Sequence, residues 1–239
     1  RFLDNAAQGP GGTIYLDDAS LDAEDTEIAG STSALGLTTT WSAGAGIFMR
    51  RTVARPDSVR LDLRRCLLRD NQGLIDSDPW SGDGGAVMVK GTSGAYVGVT
   101  VEECDFLSNF AAQGAGLYIG RFAVGDVVRC RFRDNVAYLQ GGATFKGGAL
   151  VINRGETASY VYCEFVGNRA GLDRDGGEST ELGRGGAFST RARTRGIFRH
   201  CSFLDNTAHG PASLGGAVHK PREGDVLQLD SMRCALYDC

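Results

Sequence analysis

The chain has 239 residues, 42% of them hydrophobic, and a formal net charge of −4. That balance excludes a strongly charged disordered tail and leaves too small an excess of cations for duplex nucleic acid. No apolar stretch approaches the roughly 20 residues of a membrane-spanning helix, and no signal peptide or retention motif is read in it.

From the N-terminus, Phe2-Leu-Asp-Asn5 is a phrase whose cysteine is missing, and Gly11-Gly-Thr-Ile14 is a glycine marker. Residues 17 to 40 carry no clear phrase. Marker and phrase then alternate: Gly44-Ala-Gly-Ile47, Cys66-Leu-Leu68-Arg-Asp-Asn71, Gly84-Gly-Ala-Val87 and Cys104-Asp-Phe106-Leu-Ser-Asn109. They continue as Gly114-Ala-Gly-Leu117, Cys130-Arg-Phe132-Arg-Asp-Asn135, Gly147-Gly-Ala-Leu150 and Cys163-Glu-Phe165-Val-Gly-Asn168. The last are Gly185-Gly-Ala-Phe188, Cys201-Ser-Phe203-Leu-Asp-Asn206, Gly215-Gly-Ala-Val218 and a degenerate Cys234-Ala-Leu236. Seven markers at a period of roughly 30 to 40 residues mean stacked repeats.

The segments after the glycines, such as 86–90 and 149–152, are short, alternating and rich in Val, Ile and Phe, and so read as strands. A second strand precedes each cysteine (96–101, 124–128 and 160–162), and the phrase supplies a third. Three short parallel strands per turn with no amphipathic helix predict an all-β, right-handed parallel β-helix of about seven rungs. Residues 1–239 form one domain, with insertions at 72–83, 136–146, 169–184 and 207–214, and the chain is expected to be a fragment of a longer helix. Equivalent positions lie one strand spacing apart, about 4.8 Å, so like stacks on like. Columns are predicted of cysteine (Cys66, Cys104, Cys130, Cys163, Cys201, Cys234), of phenylalanine (Phe106, Phe132, Phe165, Phe203) and of asparagine (Asn71, Asn109, Asn135, Asn168, Asn206). The asparagines are expected to take left-handed turn conformations while bonding to backbone or to each other.

The alternation of Phe-x-x-Asn with Gly-Gly-Ala-(Ile/Leu/Val) resembles the polymorphic membrane protein family of chlamydial outer membranes and its wider bacterial relatives. That resemblance covers most of the chain. It implies a β-helical passenger displayed at the cell surface or secreted, associated with an outer membrane, with any anchoring barrel outside this sequence.

Seven cysteines are an odd number, and their spacing is that of the repeat, so most are expected free and buried rather than bridged. Cys234 and Cys239 fall outside the pattern and are a candidate pair.

Two features are candidates for a working surface. Counting five residues from the second glycine gives Arg51, Lys90, Arg121, Asn153 and Arg191, with Arg154, Lys220 and Arg222 close by. A row of cations along the helix axis would hold a linear acidic polysaccharide; the alternative is ordinary solvated turns in an arginine-rich chain. The insertions are the second candidate, since a solenoid usually builds its binding face from loops on one edge. Trp80, beside acids, suits stacking against a sugar ring or anchoring its own loop. Asp173, Asp175 and Glu178 resemble part of a calcium loop but lack further spaced ligands; no other cofactor or metal is implied.

Two function classes stay open, and the favoured one is an adhesin-like or structural surface protein, whose partners are a polysaccharide, a host or neighbouring cell-surface protein, or a larger assembly. The alternative is a polysaccharide lyase or glycoside hydrolase of the β-helix kind, in which a base and acidic side chains from adjacent rungs would share a cleft.

Overall fold

The computed structural model describes residues 1–33, 43–54, 58–73, 82–139, 147–153, 157–173, 183–191, 194–210, 213–219, 226–230 and 233–235. Among them every regular element is a strand, and the strands form four parallel sheets, one of eight strands and three of seven. One turn runs through Asp105–Leu107, Phe110–Ala111, Leu117–Ile119 and Ala123–Val128. The next strand, Arg131–Arg133, then lies in parallel register on Asp105–Leu107, with Phe132 opposite Phe106. The chain is thus a right-handed parallel β-helix. We call its faces the phenylalanine sheet, the short-strand sheet, the glycine sheet and the long-strand sheet, in the order of that turn.

Each turn has four strands rather than the predicted three. The additional sheet is built from strands such as Gln72–Gly73, Val136–Leu139, Arg169–Asp173 and Thr207–Ala208, which open the four insertion segments. Five of its seven strands have only two residues, too little alternation to be read from sequence.

The interior is filled by columns. Phe106, Phe132, Phe165 and Phe203 stack with ring centroids 4.6, 5.0 and 4.6 Å apart and planes within 11° of parallel. Parallel stacking at the strand repeat adds ring contact to the burial of each side chain. Aliphatic residues of the long-strand and glycine sheets close the core from the other sides, among them Leu61, Val99, Val87, Leu117 and Leu150. A smaller apolar cluster of Ala43, Phe48, Met88, Tyr118 and Val151 lies apart from this core. Its strand residues alternate with the inward ones, which puts them on the outer face of the glycine sheet.

Three corners of each turn use left-handed backbone. The first glycine of all seven markers has positive φ, from 55° at Gly44 to 72° at Gly11. A Cβ there would lie between 1.9 Å (Gly147) and 2.9 Å (Gly114) from the carbonyl oxygen three residues on, so only glycine fits. At the asparagine corner the left-handed residue is the one before asparagine, as in Asp70, Ser108, Asp134 and Asp205. This corrects the expectation that asparagine itself takes that conformation: its carboxamide is needed inside the corner.

Asn71, Asn109, Asn135 and Asn168 are fully buried and form a continuous ladder. Each Nδ2 donates to the next asparagine Oδ1 at 2.8–3.0 Å and to a strand carbonyl of the preceding rung at 2.9–3.1 Å. Each Oδ1 from Asn109 to Asn206 also accepts the backbone N–H of the preceding asparagine. Both hydrogens and both acceptor sites of the interior amides are therefore used, which is what a buried carboxamide requires.

The stretch without a clear phrase contains a rung in substitute residues. Ile28 registers with Phe2 and Leu68 in the phenylalanine column. The Ser31 N–H donates to Asn71 Oδ1 as an asparagine would, and the Thr26 carbonyl accepts from Leu67 as the Cys66 carbonyl accepts from Asp105.

Cys66, Cys104, Cys130, Cys163 and Cys201 are free and buried, as the repeat spacing implies. Their thiols donate to carbonyls, as from Cys163 to Val127 and Val161. Burial pushes the Cys130 thiol well above the ordinary thiol range. Cys234 does not join this column. It pairs in register with Phe203, because the connection from Asp230 to Arg233 matches the one from Arg199 to Ser202 residue for residue. Cys239 and the side chain of Cys234 lie outside the described residues.

Candidate functional site

The basic column predicted from glycine counting does not form. Strand register places Asp17, Arg50 and Lys90 side by side, and Gly120, Asn153 and Arg191 continue that row. The count slips because the markers at 44 and 114 read Gly-Ala-Gly, which shifts Arg51 and Arg121 one place past the row. Arg51 is 6% exposed and donates to the carbonyls of Tyr96 at 2.7 Å and Val53 at 3.3 Å, so it staples two connections together. Arg121 is exposed, and its carbonyl accepts from Gly91. Arg50 donates to Asp17 at 2.5 Å. Arg154, Lys220, Arg222 and the side chain of Arg191 lie outside the described residues.

The outer charges elsewhere neutralise one another from rung to rung. Arg65 pairs with Glu24 and, at 2.8 Å, with Asp25; Arg129 pairs with Glu102 and, at 2.9 Å, with Glu103. Arg131 makes a two-pronged bond to Asp105 at 2.5 and 2.6 Å, and Arg69 reaches Glu27 at 2.9 Å. Like charges one strand spacing apart repel, and alternating signs remove that cost. The same alternation leaves these faces without the single-signed potential a polyanion site needs. Further along, the corner residues become Tyr162 and His200, whose rings stack at 4.8 Å; His200 points outward, as its place before a buried cysteine implies.

Among the described residues, a concave site lies on the outer face of the long-strand sheet, a trough of about 310 Å³. Arg60, Thr100, Val124, Asp126, Thr157 and Ser159 line it from four successive strands, with Gly98 and Gly125 exposing backbone between them. Two register columns build it. Arg60, Gly98 and Val124 are neighbours in one, and Asp62, Thr100, Asp126 and Ser159 in the other. Inward Val97, Val99 and Val101 anchor the central strand in the core, and this fixes the outward direction of the residues between them. Gly98 opens the trough, since a Cβ there would meet nothing nearer than the Arg60 Cγ at 3.6 Å. Arg60 is drawn toward Asp62, with Nε 3.5 Å from a carboxylate oxygen.

The site therefore offers hydroxyls, one exposed carboxylate, a guanidinium and an aliphatic wall. That mixture hydrogen-bonds a polyhydroxylated ligand without demanding a net charge. Sequence reading passed over it. The available signal was a glycine at an outward position of an otherwise regular alternation, Val97-Gly-Val-Thr-Val101, where a strand glycine marks close approach or open space.

Trp80, Asp175 and Glu178 lie outside the described residues, as does the side chain of Asp173, whose backbone ends a strand opposite Leu139. Among the described residues no group of three or more His, Cys, Asp or Glu side chains is arranged to hold a metal ion. The structure does bring together Ser189 and His219, distant in sequence, with Oγ 3.3 Å from Nδ1. Both are buried, the serine completely, so this pair does not face a substrate. No protein-family model matches the chain, and no curated protein or solved structure matches it either.

Proposed function

We propose that this protein is a rigid β-helical binding scaffold, adhesin-like in role, that takes a glycan segment in the trough of its long-strand sheet. The observation that carries this reading is the alignment of Arg60, Thr100, Asp126, Thr157 and Ser159 along one shallow groove parallel to the stacking direction. Four strands at about 4.8 Å spacing present polar groups at a regular interval to an extended chain. Paired acids and cations on the outer faces favour a neutral or weakly charged glycan over a strongly acidic one. Display at a cell surface or secretion rests on the resemblance of the repeats to outer-membrane passenger proteins, and protease treatment of intact producing cells checks it.

The experiment is a glycan array, followed by titration of the best ligand into wild-type protein and into Gly98→Val and Asp126→Asn. Gly98→Val fills the trough from outside without touching the core, so it should abolish binding while leaving the unfolding midpoint unchanged. Binding that persists in both variants removes the trough from consideration. Product analysis of the same mixtures tests depolymerisation, the outcome that would favour a lyase or hydrolase instead.

A further inference from the structure

Lys90 is one of only three lysines in the chain, and its surroundings differ from those of a solvated surface amine. It ends the strand Val87–Lys90 on the glycine sheet, half-buried, with its Nζ 5.6 Å from the ring centroid of Phe48. Phe48 belongs to the outer apolar cluster with Met88 and Tyr118, so the amine rests on an apolar floor. Its register partner on one side is Arg50, which keeps a second positive charge beside it. On the other side is Gly120, where even a Cβ would approach the Lys90 Cβ to 2.9 Å. The glycine thus lets the neighbouring backbone lie directly against one flank of the lysine stem.

Two influences oppose protonation, burial first and the Arg50 charge second, while Asp83 favours it; together they bring the Lys90 pKa down to about 8. The Phe48 ring attracts an ammonium, but only weakly at a site open to water on one side. A lysine beside another cation over apolar surface is the arrangement that makes an amine nucleophilic near neutral pH.

We propose that Lys90 is a carbonyl-capture site, at which the side-chain amine condenses with an aldehyde, including the open-chain reducing end of a sugar. The Nζ lone pair adds to the carbonyl carbon, and an N–H proton passes to the oxygen to give a carbinolamine. Loss of water then forms the C=N bond of an imine. No oxidant or further reactant is required.

The test uses the intact chain with limiting glycolaldehyde and cyanoborohydride at pH 7.5, followed by peptide mapping of Lys90, Lys146 and Lys220. Lys90 should be labelled at least about tenfold faster than the other two, since a pKa near 8 leaves far more free amine than the ordinary lysine value of about 10.4. Its labelling rate should rise through pH 8 and then level off. Arg50→Gln, which removes the neighbouring charge, should slow Lys90 labelling at pH 7.5 and move its midpoint upward, with circular dichroism confirming the fold. Equal labelling of all three lysines, or a Lys90 rate unchanged in Arg50→Gln, overturns the proposal.

Discussion

Asn109 Oδ1 receives two hydrogen bonds from Asn71, one from its backbone N–H at 3.1 Å and one from its Nδ2 at 2.9 Å. The same pair of hydrogen bonds runs from Asn109 to Asn135 Oδ1 and from Asn135 to Asn168 Oδ1. Asn135→Ala would leave both Asn109 donors unmatched inside the coil. An orphaned buried donor costs about 1–3 kcal/mol, so a loss of at least about 3 kcal/mol is expected in urea unfolding. Asn135→Asp should be as damaging near neutral pH, because an ionised carboxylate would face the Asn168 Oδ1 and the Phe106 carbonyl.

The ladder is interrupted at Ser31, whose hydroxyl turns to Thr13. Asn5 Nδ2 is consequently buried without an acceptor. Ser31→Asn should join the two stretches and raise the unfolding midpoint, by about 1 kcal/mol for a net gain of one satisfied amide. A lower midpoint would mean that the Thr13 contact outweighs the new bonds.

Tyr160 stacks on Phe198 at 4.7 Å in the core, and its hydroxyl is buried with no hydrogen-bond partner. Burial holds its pKa well above the ordinary tyrosine value. Tyr160→Phe retains the stacking and removes the orphaned oxygen, so it should stabilise the fold by about 1 kcal/mol or more in thermal or urea melts. Destabilisation would show that the hydroxyl is satisfied in solution.

The five described cysteines should be inert in the folded chain. Cys130 and its neighbours are buried thiols, and the thiolate is the reactive form. A short pulse of a thiol-specific alkylating reagent under native conditions, mapped by mass spectrometry, should leave Cys66, Cys104, Cys130, Cys163 and Cys201 unmodified. All five should react in denaturant. Native modification of the central Cys130 would contradict its burial.

Lys90 makes stability depend on alkaline pH. Its folded pKa of about 8 lies below its ordinary value of 10.5. Between those values the unfolded chain holds a proton that the folded chain has released, so stability should rise with pH across that window. Below about pH 8 both states are protonated and the penalty is fully present. Lys90→Met should flatten this slope and raise stability near pH 7, measured as the unfolding midpoint at pH 7, 9 and 10.5.

The interior of the fold was legible because identical residues recur where identical environments stack: Phe106 over Phe132, Asn109 over Asn135. Where the environment was kept but the residue changed, as at Thr26, Ile28 and Ser31, the rung was invisible to a search for repeated letters. Cys234 shows the opposite error, a repeated letter at a different register position. The outer surface was less legible for a physical reason. Outward side chains are constrained only by their neighbours in the column, so Arg50 and Arg51, adjacent in sequence, have unrelated roles. The trough depends on a missing side chain at Gly98, and absence leaves little trace in a pattern built from what recurs.

The parallel register also governs how the molecule responds to force. Its interstrand hydrogen bonds point along the stacking direction, and each rung holds only to the rungs beside it. Tension applied from end to end would load the rungs in series and peel them away one after another at modest force. Tension applied along the strands would shear many bonds at once and meet much greater resistance. A ligand held across the four strands of the trough would clip those rungs together, so tethering such a chain by its ends would make it yield everywhere else first.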